Sequence, residues 1–348
     1  MAMKALILAG GKGTRLRPLT VYTPKPIVPL MNQPFLLFQI EALRKAGITD
    51  ITLSLSYQPD KIAEIVGAGS AYGVSISYVT EPTPLGTAGA FKFAAKESRD
   101  ATVVLNGDIL TDADISDIVK RHKDSGAEAT IAISPVDDPS KYGLVETDDG
   151  GKILRFSEKP SEAYLEQTKC DTVNAGIYVL EPHVLDLIPE NEIRSFEYDV
   201  FPQMLSSSSN IAAYTLKDSY WRDIGNPASY LSANLDFVLG KVAGLTRPVG
   251  GDYEKATAAF VDKNSLIGDG CSIKPGARVV NSVLGSNVTI DEKAVIENSV
   301  IWSNSKVSPG SKVFESILGR SCYIGRNVTV SEGSVLGDKT SLTDYTSI

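Results

Sequence analysis

The sequence predicts an α/β chain in two parts: a Rossmann-like, doubly wound mixed sheet, followed by a left-handed β-helix of hexapeptide repeats. Two observations carry this prediction. Short β-branched runs alternate with amphipathic helical patterns from residue 4 to about 240. Beyond them an aliphatic residue returns every five or six positions, the spacing of one buried side chain per short strand of a coil.

In the first part, strands are expected at residues 5–9, 51–55, 74–79 and 102–105, and helices at 34–46, 59–66 and 87–97, with Gly47 as the C-cap of the first helix. Such alternation gathers ligands at the carboxyl ends of the strands. The runs at 129–134, 143–146, 153–156 and 173–180 come with fewer helices and add a mixed-sheet region. In the second part the recurring aliphatics are Ile267, Ile273, Val279, Leu284, Ile290, Ile296, Ile301, Val307, Val313, Leu318, Ile324, Val330, Leu336, Leu342 and Ile348. Their steps are six, six and five, three times over, then six throughout, which makes three strands per coil. A β-sandwich would show period two instead. The expected boundaries are an α/β domain at 1–241, a linker with Gly and Pro at 242–259, and the β-helix at 260–348.

Composition removes several function classes. The apolar fraction of 43% and charged fraction of 22% describe a soluble globular chain. A net charge of −8 argues against a nucleic-acid partner, because phosphate backbones are bound by an excess of Lys and Arg. The apolar run at 5–9 is too short for a signal-peptide core, and no stretch approaches the roughly 20 residues of a membrane span, so no membrane association is expected. Cys170, Cys271 and Cys322 lie far apart without a CxxC pair, which fits a reduced, cytoplasmic setting. Hexapeptide β-helices also occur in acyltransferases that rely on a histidine base. The two histidines are His122 and His183, so residues 184–348 contain none, and the β-helix reads as a part for assembly or regulation, favouring a homo-oligomer.

The stretch ALILAGGKGTRLRPL at 5–19 breaks from an apolar run into three glycines and two arginines. It lacks the third glycine of GxGxxG and the spacing of GxxxxGK[ST], which removes two phosphate-binding loops from consideration. What remains is a glycine turn followed by Arg15, and by Lys25 ten residues later. Glycines let backbone N–H groups approach phosphate oxygens, Arg15 offers a bidentate fork and Lys25 a point charge. The loop therefore suits a triphosphate.

GGKGTRLRPLTVYTPKPIVP at 10–29 resembles the signature of the sugar-1-phosphate nucleotidyltransferases, or NDP-sugar pyrophosphorylases. The likeness continues in order through EPTPLGTAGA (81–90), LNGDIL (105–110), YGLVE (142–146), EKP (158–160), NAGIYVL (174–180) and YWRDIG (220–225). The trailing β-helix also fits that family, within which the mannose-1-phosphate guanylyltransferases are the most similar. The resemblance implies a nucleotidyltransferase domain joining a sugar-1-phosphate to the α-phosphorus of a nucleoside triphosphate. Arg15 would then grip the departing phosphates and Lys25 bridge toward the α-phosphate, while Asp108 and Asp223 hold Mg2+. The nucleotide would lie against Leu8, Ala9, Gly10, Gly11, Gly13, Thr14, Glu81, Gly86, Thr87 and Asn106. Gly143, Glu158, Lys159 and Asn174 would form the sugar-phosphate pocket. Arg17 is as well explained as a surface or packing residue.

Glu81 bears on the base. A carboxylate accepts from guanine N1–H and its exocyclic amine but offers nothing to a pyrimidine carbonyl, so GTP is favoured over dTTP, UTP and ATP. The sugar rests on overall likeness to the mannose-1-phosphate enzymes. Thymidylyl or uridylyl transfer to glucose-1-phosphate, guanylyl transfer to a heptose-1-phosphate, and a silent regulatory subunit binding a sugar nucleotide stay open at this point.

Overall fold

The computed structural model describes residues 3–168 and 170–348. The chain forms two compact units, one of residues up to 11 together with 38–221, the other of 12–37 together with 222–348.

The first unit is built on a nine-stranded mixed sheet. Its strands are β1 (Lys4–Leu8), β2 (Asp50–Leu55), β3 (Ser75–Thr80), β4 (Thr102–Asn106), β5 (Ala129–Pro135), β6 (Gly143–Thr147), β7 (Ile153–Glu158), β8 (Thr172–Leu180) and β9 (Ile211–Thr215). They run in the order β7-β6-β8-β4-β1-β2-β3, with β5 beside β8 and β9 beside β5. Leu6 of β1 faces Thr52 of β2 on one side and Val104 of β4 on the other, both in parallel register. β8 runs antiparallel to β4, which makes the sheet mixed. The parallel strands are continuous apolar runs because both faces are covered: Ala5, Leu6, Ile7, Val103, Val104 and Leu105 are all buried.

Helices Pro59–Val66 and Gly86–Ala95 form where the periodicity places them. The helix Ile115–Ser125 was not legible in the aliphatic pattern, because a histidine fills one of its inward positions. His122 is 2% exposed, bonded through Nδ1 to Thr130 (2.9 Å) and through Nε2 to Glu181 (3.1 Å). Asp114 caps this helix, accepting from the backbone N–H of Ser116 at 2.9 Å.

The second unit is a three-sided stack of parallel strands, in sheets of six, five and five. Ser272–Ile273 pairs with Thr289–Ile290, and that pair with Lys306–Val307. The recurring aliphatics from Ile267 to Val330 fill one core, with Leu336 and Leu342 packed against it. Ile348, in the last coil, is exposed. Corners of the coil need a left-handed residue, and Asn281, Asn298, Asn287 and Asn304 supply it at φ of 45–63°. Buried serines stack between coils: Ser299 N–H donates to Ser282 Oγ (3.1 Å), and Ser316 N–H to Ser299 Oγ (3.2 Å).

Residues 242–259, expected as a linker, include Glu254–Lys255, which already pairs with Ser272–Ile273. The segment 12–37 and the helix Pro227–Val238 belong to this same unit, tied to it by hydrogen bonds. Among the described residues no helix is long and apolar enough to cross a membrane.

Candidate active site

In the first unit, β1 has β2 on one side and β4 on the other, so the strand order reverses there. Crevices at such a reversal, beyond the carboxyl ends of the strands, are where α/β sheets take ligands. The residues that follow β1 are Ala9, Gly10 and Gly11, and those at the end of β4 are Asn106, Gly107 and Asp108. Gly107 N–H donates to the Leu8 carbonyl at 2.9 Å, and a Cβ at Gly107 would stand 2.5 Å from that oxygen. Glycine is what lets the two strand ends close on one another.

Glu81 is 6% exposed, just beyond the end of β3. Its Oε1 accepts from Ser54 Oγ at 2.9 Å and its Oε2 from the Leu85 N–H at 2.9 Å. A Cβ at Gly10 would lie 2.9 Å from Glu81 Oε1, and Ser56 Oγ donates to the Gly10 carbonyl. Glu81 therefore braces the turn leading to Gly86 and abuts the backbone at Gly10. Gly86 has φ +76°, and a Cβ there would meet the Arg194 carbonyl at 2.5 Å. That carbonyl accepts from Ala88 and Gly89 at the start of the helix Gly86–Ala95.

Around β8 lies a second polar cluster of the first unit. A Cβ at Gly143 would stand 2.4 Å from Glu158 Oε2, so the glycine admits the carboxylate. Burial, and then the negative Glu197, raise the Glu158 carboxyl above its ordinary range. Lys159 is exposed, with φ +46°. β8 bulges between Asn174 and Tyr178, where Gly176 has φ +71° and its N–H donates to Asn174 Oδ1 at 3.0 Å. Asn174 Nδ2 donates to the Tyr178 hydroxyl (2.8 Å), which donates to Glu197 Oε1 (3.0 Å). Glu197 Oε2 accepts from Thr87 Oγ1 (2.8 Å) and Ser195 Oγ (2.6 Å). Thr87, expected on the nucleotide side, is thus bonded into the network that holds Asn174.

Tyr178 and Glu197 were not singled out from the sequence. Tyr178 reads as one more apolar residue of NAGIYVL, yet it is fully buried, and its hydroxyl is pushed well above its usual range by burial. Glu197 sits in a π-helical turn, Phe196–Val200, within SFEYDVFP. Its neighbours Phe196 and Phe201 stack at 5.3 Å and pack on Tyr178.

In the second unit the signature loop forms its own cluster. Gly13 has φ +62°, and a Cβ there would be 2.9 Å from Lys25 Cβ, so the Lys25 stem lies on the glycine. Thr20 Oγ1 donates to the Gly13 carbonyl at 2.7 Å. Lys25 is 8% exposed, whereas Arg15 and Arg17 are exposed. A Cβ at Gly225 would stand 2.8 Å from Asp223 Oδ1 and 3.1 Å from Arg15 Nη2, so Gly225 keeps open the space these groups share. The structure therefore gathers Gly13, Arg15, Lys25 and Asp223 in one unit. In the other it gathers Leu8 to Gly11 with Glu81 and Asn106, and Gly143 with Glu158, while Asp108 follows two residues after the end of β4.

The nucleotidyl transferase family matches residues 4–238, and the LbH domain of EIF2B subunit epsilon matches residues 250–348. A mannose-1-phosphate guanylyltransferase of Mycobacterium tuberculosis is 36% identical over 84% of this chain and 82% of its own. A mannose-1-phosphate guanyltransferase of Pichia angusta is 40% identical over 77% of this chain and 74% of its own. Among solved structures, one described as a candidate glucose-1-phosphate thymidylyltransferase of Bacillus anthracis is similar with a TM-score of 0.59. It is 26% identical, and the match covers 67% of this chain and 94% of that one.

Proposed function

The chain belongs to the nucleotidyl transferase family, and we propose that it transfers guanylyl from GTP to mannose-1-phosphate, giving GDP-mannose and pyrophosphate. The observation that carries the choice of substrates is the identity of 36–40%, over about three quarters or more of both chains, with relatives named for that reaction.

A phosphate oxygen of mannose-1-phosphate attacks the α-phosphorus of GTP. The new P–O bond forms as the bond to the β-phosphate oxygen breaks, and pyrophosphate departs with the electron pair. The attacking oxygen is already ionised, so no general base is needed and catalysis rests on positioning and charge neutralisation. Arg15 grips the departing phosphates, and Lys25, its stem seated on Gly13, reaches toward the α-phosphate. Asp108 and Asp223 would hold magnesium, a fit of two hard carboxylates to an ion that keeps several waters and takes its other ligands from phosphate. When bound, the ion neutralises charge on the phosphate oxygens.

Glu81 spends one acceptor site of each oxygen on Ser54 and Leu85, leaving capacity for the guanine N1–H and amine. Glu158, Asn174 and the Gly143 backbone receive the sugar hydroxyls, and Lys159 its phosphate. Cys170, Cys271 and Cys322 are free thiols, in keeping with a reducing cytoplasm. Self-association through the β-helix completes this reading.

The test is pyrophosphate release across four nucleoside triphosphates and several hexose-1-phosphates. GTP with mannose-1-phosphate is expected to give the highest kcat/KM. A higher value for dTTP or UTP with glucose-1-phosphate overturns the assignment.

A further inference from the structure

The second unit contains both the loop that carries Arg15 and Lys25 and the β-helix, and the bonds between them are specific. Arg320 Nη1, from the coil, donates to Thr23 Oγ1 in the loop, two residues before Lys25. Thr23 is 5% exposed, while the Arg320 side chain is 39% exposed and its guanidinium lies 4.8 Å over the Trp302 ring. Trp302 Nε1–H donates to the Tyr230 hydroxyl at 2.9 Å, and that hydroxyl donates to the Pro29 carbonyl, four residues after Lys25. Met31 N–H donates to Asn234 Oδ1 at 2.9 Å, and Asn32 Nδ2 donates to the Leu284 carbonyl of the coil at 2.7 Å. Pro18 lies against Gly337, where a Cβ would be only 3.1 Å from its ring. Lys25 is therefore pinned from both sides by contacts that end on, or lead to, the β-helix.

We propose that the β-helix is a positioning brace for the triphosphate loop, with Arg320 and the Trp302–Tyr230 pair as positioning residues that hold Lys25 where it acts. This rests on the reading of Lys25 as a phosphate contact. The physical case is one of preorganisation: a flexible lysine must be held before substrate arrives, and small displacements of a catalytic group cost large factors in rate. Most of these anchors are buried, with Trp302 at 2% and Tyr230 and Asn234 at 0% exposure, so they restrain the backbone on either side of the lysine. A fold that used its β-helix for assembly alone would have no need to bond it to this loop at Thr23 and Asn32, and at Pro29 through Tyr230.

The test is a double-mutant cycle in the full chain, measuring kcat and both KM values for pyrophosphate release from GTP and mannose-1-phosphate. Arg320→Ala is expected to lower kcat/KM for GTP about tenfold, leaving KM for mannose-1-phosphate within twofold. On a Lys25→Ala background the same change is expected to cost less than twofold, because the group being positioned is gone. Thr23→Val should reproduce the Arg320→Ala defect, and Thr23→Ser, which keeps the acceptor, should restore it. Arg320 is partly exposed, so melting temperature is expected to move by no more than a few degrees. Equal losses on both backgrounds, or full activity in Arg320→Ala and Thr23→Val, overturn the brace. If Lys25→Ala itself turns over normally, the reading of Lys25 fails first, and the brace with it.

Discussion

Tyr178→Phe isolates the network behind the proposed sugar pocket, since it removes one oxygen and no packing volume. That oxygen, on a fully buried ring, accepts from the half-buried Asn174 Nδ2 at 2.8 Å and more weakly from Asn106 Nδ2 at 3.5 Å, and donates to the half-buried Glu197 Oε1 at 3.0 Å. A neutral hydrogen bond contributes about 1 kcal/mol and one to a charged group about 1.5–3, so the loss is about 2–4 kcal/mol. Glu197 keeps Thr87 and Ser195 on its other oxygen, which holds the carboxylate in place and prevents a larger collapse. For a unit of this size, 1 kcal/mol shifts Tm by about 2–4 °C, so calorimetry should show the melting of the first unit lowered by roughly 4–16 °C. Kinetics supply the second readout. Asn174 loses one of the two bonds that orient it, keeping that from the Gly176 N–H, so KM for mannose-1-phosphate should rise severalfold while KM for GTP stays within twofold. A Tm shift below about 1 °C together with unchanged KM values would refute both the bond accounting and the placement of the sugar.

Three further outcomes follow from particular contacts. Glu158 is held above the ordinary carboxyl range by burial and by Glu197, so the folded state binds its proton more tightly than the unfolded state. Stability therefore falls as pH rises from the unfolded value through the raised folded one, and Glu158→Gln should flatten that fall in a melting series while losing activity. Gly86→Ala places a methyl 2.5 Å from the Arg194 carbonyl at φ +76°, so circular dichroism melting should show a loss of more than 1 kcal/mol and GTP affinity should weaken. Glu81→Gln keeps one acceptor and turns the other into a donor, so the ratio of kcat/KM for GTP over UTP should drop by about ten- to a hundredfold. An unchanged ratio would remove Glu81 from base recognition.

Much of the fold is readable without coordinates because side-chain period is a local property. The parallel strands lie within a residue or two of where β-branched runs put them, and the aliphatics from Ile267 to Val330 all enter the β-helix core. Where a polar residue took an inward position, as His122 does in the helix Ile115–Ser125, the pattern gave no warning. The contact of Gly13 with the Lys25 stem, in the loop proposed to take the phosphates, joins residues that are close in sequence.

Tertiary structure decided what depends on chain closure. The reversal of strand order at β1 exists only because β4, nearly a hundred residues on, pairs beside Lys4–Leu8. The Tyr178 hydroxyl found Glu197 across 19 residues, and Glu197 found Thr87 across 110, with no local pattern that marks either partner. The allegiance of the loop lies further still from sequence reading, for Thr23 and Arg320 are 297 positions apart. By itself the sequence determined which elements form and which cations are proposed to meet the phosphates, because periodicity, turn chemistry and motif spacing are short-range. Which distant side chains bond the segment around Lys25 was left to three-dimensional packing, because a hydrogen bond between distant residues is written in the closed chain and in no stretch of it alone.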